Sequence, residues 1–577
     1  MDFMSKYNNW LEMDCIDDDT KNELKSLADN KKEIEERFYK ELAFGTGGIR
    51  GIIGAGDNRM NIYTVGKATQ GLSNYILNNS KGGAERGVAI AYDSRRMSPE
   101  FAKAAALILA GNGIKVYLFE SLRPTPMLSF AVRYLNCISG IVITASHNPP
   151  EYNGYKVYWE DGAQIAYPVD ENVIEEVNMV SGYDAIIKTS EPDALSSGML
   201  KYIGKEVDEE FYKNVLEQVM DSSLVKDVGQ DLKIVYTPIH GTGNIPVREV
   251  LSRAGFKNVS VVKEQELPDE NFTTVGYPNP EDPKVFELAI KLANKEDADI
   301  IVGTDPDADR VGAVVKNNNG EYVVLSGNMT GTLITEYILS TKKNQGVLKE
   351  NDAIISTVVS TDLTGEIAKS YGVSYFETLT GFKYIGEKIK LFKKDNSHNF
   401  LFGFEESYGC LAGTYARDKD AVVATLLLCE ASAYYKKKGK TLYDALIDMY
   451  NKYGYYSDGI KSITLQGKEG SEKIVQIINS LRSNPLKEIN GVKTVEFRDY
   501  STGTILNLLN SEIKKSELPS SNVLYFVLED KSWFCVRPSG TEPKIKIYCG
   551  VIGESMKDGD EKLREFKESI FKEIEKI

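Results

Sequence analysis

Short, nearly unbroken apolar runs punctuate the chain, and each ends in a knot of small, polar or acidic residues. Residues 87–92 run into Asp93-Ser94-Arg95-Arg96, and Ile141-Val142-Ile143 into Thr144-Ala145-Ser146-His147-Asn148-Pro149-Pro150. Residues 232–236 run into Thr237-Pro238-Ile239-His240-Gly241, residues 298–303 into Thr304-Asp305-Pro306-Asp307-Ala308-Asp309-Arg310, and residues 399–404 into Glu405-Glu406-Ser407-Tyr408-Gly409. Short runs rich in β-branched residues read as strands buried on both faces. Helical patterns lie between them: one from about Ser98, with Ser98 as N-cap and Glu100 in the first turn, one after Arg123-Pro124-Thr125-Pro126, and one at about Pro246. Strand–helix alternation predicts parallel sheets, whose ligand sites lie at strand ends. From about residue 451 the grammar changes. Ser462-Ile463-Thr464-Leu465 and residues 523–528 predict an antiparallel sheet, and Leu563, Phe566, Ile570, Ile574 and Ile577 share one face of a closing helix. Residues 1–43 are charged with sparse apolar positions and read as a surface helical extension.

Length then sets the scale. A chain of 577 residues exceeds one core and implies roughly three to five domains. The net charge of −15 argues against a nucleic-acid partner, but leaves room for anionic small molecules at local positive sites. No apolar run approaches the ~20 residues of a membrane span. Six scattered cysteines without a Cys-x-x-Cys pair read as reduced thiols of a cytoplasmic protein. Only three histidines occur, far apart, so a metal would be held by carboxylates.

Candidate chemistry sits on the strand-end loops. Ser146 and His147 are followed by Asn148, Asn153 and Lys156, a set that suits a supported nucleophile and equally an ordinary polar turn. The Gly-x-Ser-x-Gly elbow of a serine hydrolase is absent, and adjacent side chains are expected to point apart. Asp305, Asp307 and Asp309 at alternate positions can converge on one hard cation, and their repulsion calls for a counter-charge. An EF-hand is excluded, because Arg310 and Lys316 stand where its loop needs Gly and Glu. The glycine-rich stretch Gly45-Thr46-Gly47-Gly48-Ile49-Arg50 fits neither the dinucleotide fingerprint nor the P-loop, but Arg50 offers a fork of donors for phosphate. Gly241-x-Gly243 fails the dinucleotide pattern at Pro246, and His240 reads as a loop-orienting residue. Glu405 and Ser407 offer the acceptors and donor that sugar hydroxyls need, or simply a helix start. Arg537-Pro538-Ser539-Gly540-Thr541 has the make-up of an anion cradle.

Taken together, Thr-Ala-Ser146-His-Asn-Pro with Asn-Gly-x-Lys156, Gly-Thr-x-Gly-x-Arg50, Asp305-x-Asp307-x-Asp309-Arg310, Glu405-x-Ser407 and Arg537–Thr541 resemble the motifs of the α-D-phosphohexomutases, the phosphoglucomutase and phosphomannomutase family. They occur in the family's order over residues 41–577. The resemblance implies three similar α/β domains with mixed sheets and a smaller α+β C-terminal domain around a central cleft. Its divisions are residues 1–203 (phosphoserine), 204–320 (metal), 321–450 (sugar) and 451–577 (distal phosphate). It also implies interconversion of glucose 1-phosphate and glucose 6-phosphate through phospho-Ser146 and a glucose 1,6-bisphosphate intermediate. One Mg²⁺ would be held by Ser146, Asp305, Asp307 and Asp309, with Arg50, His147 and Lys156 at the reacting group. Arg310, Thr380, Gly381, Glu405, Ser407, Lys419, Arg537, Ser539, Gly540 and Thr541 would bind substrate, as a monomer or weak homo-oligomer. Phe404 and Tyr408 depart from the family's sugar loop, so mannose or pentose phosphates stay open as substrates. A non-catalytic phosphosugar-binding regulator is the rival of a different class.

Overall fold

The computed structural model describes all residues except Met1, Thr46, Gln466 and 539–543. Its contacts divide the chain into two compact units. The first holds residues 1–326 with 386–396 and 408–441, and the second holds 327–385, 397–407 and 442–577.

The first unit contains two mixed sheets. One is built from β1 (Gly48–Ile52), β2 (Val88–Tyr92), β3 (Val116–Phe119), β4 (Ser139–Ile143), β5 (Tyr152–Trp159) and β6 (Leu200–Ile203), in the order β1-β5-β4-β2-β3-β6. Strands β4, β2, β3 and β6 are parallel, whereas β5 and β1 join antiparallel. The second sheet contains β7 (Ile234–Thr237), β8 (Val259–Val261), β9 (Ile300–Thr304), β10 (Val311–Lys316) and β11 (Tyr322–Val324), in the order β11-β10-β9-β7-β8. Strands β4 and β9 are buried at every position, which explains their lack of polar alternation. Ser146 follows β4, and the three aspartates link β9 to β10, so both loops leave the carboxyl ends of central strands.

The helix Ala421–Lys437 is buried from Ala421 through Ala433 and packs on helices Ser222–Val228 and Asn244–Ala254. The buried Glu430 accepts backbone N–H groups of Met220 and Asp221 at 3.1 and 2.6 Å.

In the second unit β12 (Asp352–Thr357) pairs in parallel with β13 (Ser374–Thr378) and β14 (Asn399–Phe404). The C-terminal sheet is antiparallel and carries helices Gly467–Ser483 and Met556–Glu575. Leu563, Phe566, Ile570 and Ile574 are buried in its core, as their spacing predicts.

Two local expectations need correction. Ser98 is the first residue of helix Ser98–Gly111, not its cap, and its hydroxyl donates to Asp93 Oδ1 at 2.7 Å. The N-terminal extension is not a surface appendage. Helices α1 (Phe3–Glu12), α2 (Asp18–Ser26) and α3 (Lys31–Phe38) bury Trp10, Leu24, Ile34 and Phe38 with Ala55 and Tyr63. Few apolar residues suffice, because several of them are large aromatics that meet edge to face.

Candidate active site

The first unit brings most of the sequence-predicted residues together. Ser146 adopts φ 52°, a left-handed conformation uncommon for a non-glycine residue. A buried arginine holds it there. Arg95 donates to the carbonyls of Ser146 at 2.6 Å, Pro149 at 2.8 Å and Tyr152 at 3.1 Å, and also to that of Asn148. Asp93 anchors the same turn by accepting from Thr144 Oγ1 at 2.6 Å and from the Arg95 N–H at 3.0 Å. Burial pushes the Asp93 carboxyl up and the Arg95 guanidinium down, while each opposes the other's shift.

The turn aims Ser146 Oγ at Asp305, to which it donates at 2.7 Å. The left-handed backbone also brings His147 Nδ1 within 3.2 Å of the same oxygen, contrary to the expectation that the neighbouring side chains diverge. Burial first, then the charges of Arg310 and Arg50, hold the imidazole well below its ordinary range, so it is neutral. Arg50, on β1, donates to Asn148 Oδ1 at 3.0 Å.

Asp305, Asp307 and Asp309 are buried and present one oxygen each within 4.8 Å of one another. Asp305 Oδ1 accepts the Asp309 and Arg310 N–H groups, each at 3.0 Å. Thr125 Oγ1 donates to Asp307 Oδ2 at 2.9 Å, and Lys156 Nζ reaches the same oxygen at 2.9 Å. Lys156 lies 3.7 Å from Asp309, and Lys419 lies 3.2 Å from it. Lys419 is oriented by Asp418, which also accepts from Tyr158 at 2.6 Å. Arg310 pairs with Glu281 at 2.6 Å.

Burial and the two neighbouring carboxylates push Asp305 well above the usual range. For Asp307 burial acts in the same sense, but Lys156, with the Asp305 carboxyl and the Thr125 hydroxyl, outweighs it and keeps the group ionised. Among the described residues, Asp307 Oδ1 and Asp309 Oδ1 are buried without a hydrogen-bond partner. Orphaned anionic oxygens beside like charges are the signature of a cation site, and an all-oxygen donor set fits a hard divalent ion.

In the second unit, Glu405 Oε1 accepts the Gly381 N–H at 2.8 Å, and Gly381 has φ 123°, a conformation suited to glycine. Thr380 and Ser407 are partly buried nearby in sequence. Thr357 Oγ1 donates to Glu406 at 3.2 Å; burial and then the charge of Glu405 push Glu406 up to about 7. Arg537 lies at the end of strand Trp533–Pro538, paired across the ladder with Lys546. Ser539, Gly540 and Thr541 lie outside the described residues.

Sequence reasoning missed Asp93, Arg95, Thr125 and Asp418 as parts of this site. The first two stood at a strand end, which was a usable signal. Thr125 and Asp418 became meaningful only through partners 182 and 260 residues away. His240 is held at both ring nitrogens, by Leu267 O at 2.9 Å and Thr274 Oγ1 at 2.8 Å, and Tyr277, from the same later segment as those two partners, packs against His147.

Comparison with known proteins is concordant from residue 41 to residue 571. Residues 41–183, 209–320 and 326–453 match the phosphoglucomutase/phosphomannomutase alpha/beta/alpha domains I, II and III, and residues 477–571 match the C-terminal domain. A phosphoglucomutase of Staphylococcus epidermidis is 39% identical over 546 residues, spanning 94% of this chain and 96% of that protein. A phosphoglucomutase of Staphylococcus aureus strain MSSA476 is 38% identical over 545 residues, 94% of this chain and 95% of that protein. Among solved structures, a putative phosphomannomutase from Thermus thermophilus superposes with TM-score 0.68 at 22% identity, covering 93% of this chain and 99% of that one. The open form of the Paramecium phosphoglucomutase parafusin gives 0.65 at 17% identity, covering 90% and 91%. With a serine and three aspartates on strand-end loops, two lysines beside them, and matches to all four domains in order, the chain belongs to the phosphoglucomutase/phosphomannomutase family.

Proposed function

We propose that the chain is an isomerase, a phosphoglucomutase that interconverts glucose 1-phosphate and glucose 6-phosphate by intramolecular phosphoryl transfer. The observation that carries this reading is Ser146 Oγ, set by a left-handed turn against three buried carboxylates and within reach of a neutral imidazole. In the reading, phospho-Ser146 gives its phosphoryl group to the free hydroxyl of a sugar monophosphate. The Ser146 Oγ–P bond breaks as the sugar O–P bond forms, and the hydroxyl proton leaves to a base. Glucose 1,6-bisphosphate is the intermediate. It reorients and returns its other phosphate to Ser146.

Asp305, Asp307 and Asp309, with Ser146, would hold one Mg²⁺, which supplies charge neutralisation for phosphoryl transfer when bound. Arg50, bonded to Asn148 of the serine loop, would orient equatorial phosphate oxygens with its fork of donors. Lys156 keeps Asp307 ionised, and Lys156 and Lys419 would offer ammonium protons at the reacting oxygens. Thr380, Gly381, Glu405 and Ser407 would bind the sugar, Arg310 would contact substrate beside the aspartates, and Arg537 with Ser539, Gly540 and Thr541 would bind the non-reacting phosphate. The four domains would keep their divisions at 203/204, 320/321 and 450/451. We place the protein in the cytoplasm on its six free cysteines, five of them buried. Among the described residues no helix is long and apolar enough to cross a membrane.

Turnover of glucose, mannose and ribose 1-phosphates, measured side by side with Mg²⁺ and the matching bisphosphate, tests the reading. Glucose preference supports it. A mannose or ribose preference would keep the family chemistry and overturn the sugar assignment. Ser146→Ala is expected to lose nearly all turnover, and retained activity would sink the phosphoserine scheme.

A further inference from the structure

The first 40 residues lie outside the matched family domains, which begin at residue 41. Besides Tyr63 and Tyr183, their contacts gather on one segment, the loop 53–60 that follows β1. Trp10 Nε1 donates to Asp57 Oδ1 at 2.8 Å, and Tyr183 donates to the same oxygen at 2.9 Å. The Asn58 N–H reaches the Arg37 carbonyl at 2.9 Å, and its side-chain amide reaches the Glu36 carbonyl at 2.9 Å. Arg37 and Glu23 bracket the Ala55 peptide, donating to its carbonyl at 3.1 Å and accepting its N–H at 3.2 Å. A Cβ on Gly56, at φ 122°, would lie 2.9 Å from Arg37, so the loop passes against α3 without room to spare.

This loop matters because of what it continues. Strand β1 is an edge strand of five residues, paired in its sheet on one side only, with β5. Such strands fray from their unpaired side. Arg50 sits at its middle, opposite Gly154 of β5. Loop 53–60 is in turn bonded to the chain on both sides of β1: Met60 N donates to the carbonyl of Ile52, the strand's last residue, at 2.7 Å, and Leu42 N, six residues before its start, donates to Asp57 O at 2.8 Å. Helices α1–α3 thus hold a loop that is bonded on both sides of the strand carrying Arg50.

We infer that α1–α3 form a collar that positions Arg50 for phosphoryl transfer, with Trp10 and Asn58 as positioning residues. The inference rests on the role assigned to Arg50 in the proposed function. An error of about 1 Å in a charge-bearing group can cost up to about 100-fold in rate, so a loosened edge strand reaches the chemistry without touching substrate.

The test is a double-mutant cycle on the full-length chain. Trp10→Phe keeps the aromatic packing and removes the N–H; Asn58→Ala, the milder variant, removes only the bond to the Glu36 carbonyl. Each is made with Arg50 intact and with Arg50→Ala, and kcat and KM for glucose 1-phosphate are measured with melting temperature. The collar predicts that Trp10→Phe lowers kcat about tenfold and Asn58→Ala severalfold, with KM little changed, when Arg50 is present. Neither should lower kcat further in the Arg50→Ala background. Equal losses in both backgrounds would reduce the collar to a stability element, and unchanged kcat in both variants would also overturn it. If Arg50→Ala alone keeps full kcat, the assignment of Arg50 in the proposed function fails first, which is a distinguishable result.

Discussion

Ser146 occupies a backbone region that a serine seldom holds, and the structure supplies a restraint in proportion. Arg95 spends its guanidinium on four carbonyls of one turn and stacks over Phe272 at 4.9 Å. Replacement of Arg95 by Met would strand the buried Asp93 carboxylate and release the turn. We expect a loss of about 3 kcal/mol, read by denaturant unfolding. The aspartate triad gives a second expectation. Without a cation, Lys156 offsets part of the repulsion among Asp305, Asp307 and Asp309. Lys156→Met should lower the melting temperature of the metal-free protein and enlarge the rise produced by Mg²⁺, because an ion that binds only the folded chain stabilises it. An unchanged Mg²⁺ response would mean that the lysine and the ion do not share those oxygens.

At the scale of elements, the departure at Phe404 has a structural partner. Phe404 is buried at the end of β14, and a Cβ on Gly331 of helix Gly327–Asn344 would lie 2.3 Å from its ring. Gly331→Ala is expected to destabilise the protein by about 1–3 kcal/mol, and the added Phe404→Leu should recover part of that. The large residue before Glu405 is thus accommodated by helix packing and is not itself a statement about sugar choice. The same unit holds a set of half-buried acids. Burial, then the charge of Glu377, pushes Asp362 up to about 7; burial, then Asp362, pushes Asp458 up to about 7, against a hydrogen bond from Thr361. Burial also raises Glu377, against Arg498. Asp362 and Asp458 bind more protons folded than unfolded, so their contribution is full below about pH 4 and is lost as pH rises to about 7. Asp362→Asn should therefore stabilise the protein near pH 8 by about 1 kcal/mol, discounted for partial exposure, and change little near pH 4. A stabilisation independent of pH would contradict the assignment.

For the whole molecule, an overall charge of −15 coexists with a local gathering of Arg50, Lys156, Arg310 and Lys419 around the serine and aspartate loops. Net charge governs solubility, while the local field governs which anions linger. Mg²⁺ alone should slow amide exchange in the loops 144–156 and 304–310 of the first unit and leave the second unit unchanged, as read by hydrogen–deuterium exchange. Protection in the second unit alone would place the cation elsewhere.

Much of this was legible in one dimension. Continuous β-branched runs announce strands covered on both faces, because no solvent-facing side remains to carry polar residues. The serine, the aspartates and the sugar loop follow such runs directly, so their positions at strand ends and the family's order of motifs could be read along the chain. What the sequence did not contain were the partners. Thr125 meets Asp307, Asp418 holds Lys419 over Asp309, and helix Ala421–Lys437 packs on helices some two hundred residues earlier. Nor did sparse apolar spacing in residues 1–40 reveal that Trp10 and Phe38 are buried against the loop after β1. Periodicity encodes which face of an element is apolar, a local property. Which face meets which is decided by close packing among elements far apart in sequence, and that is settled only when the chain has folded.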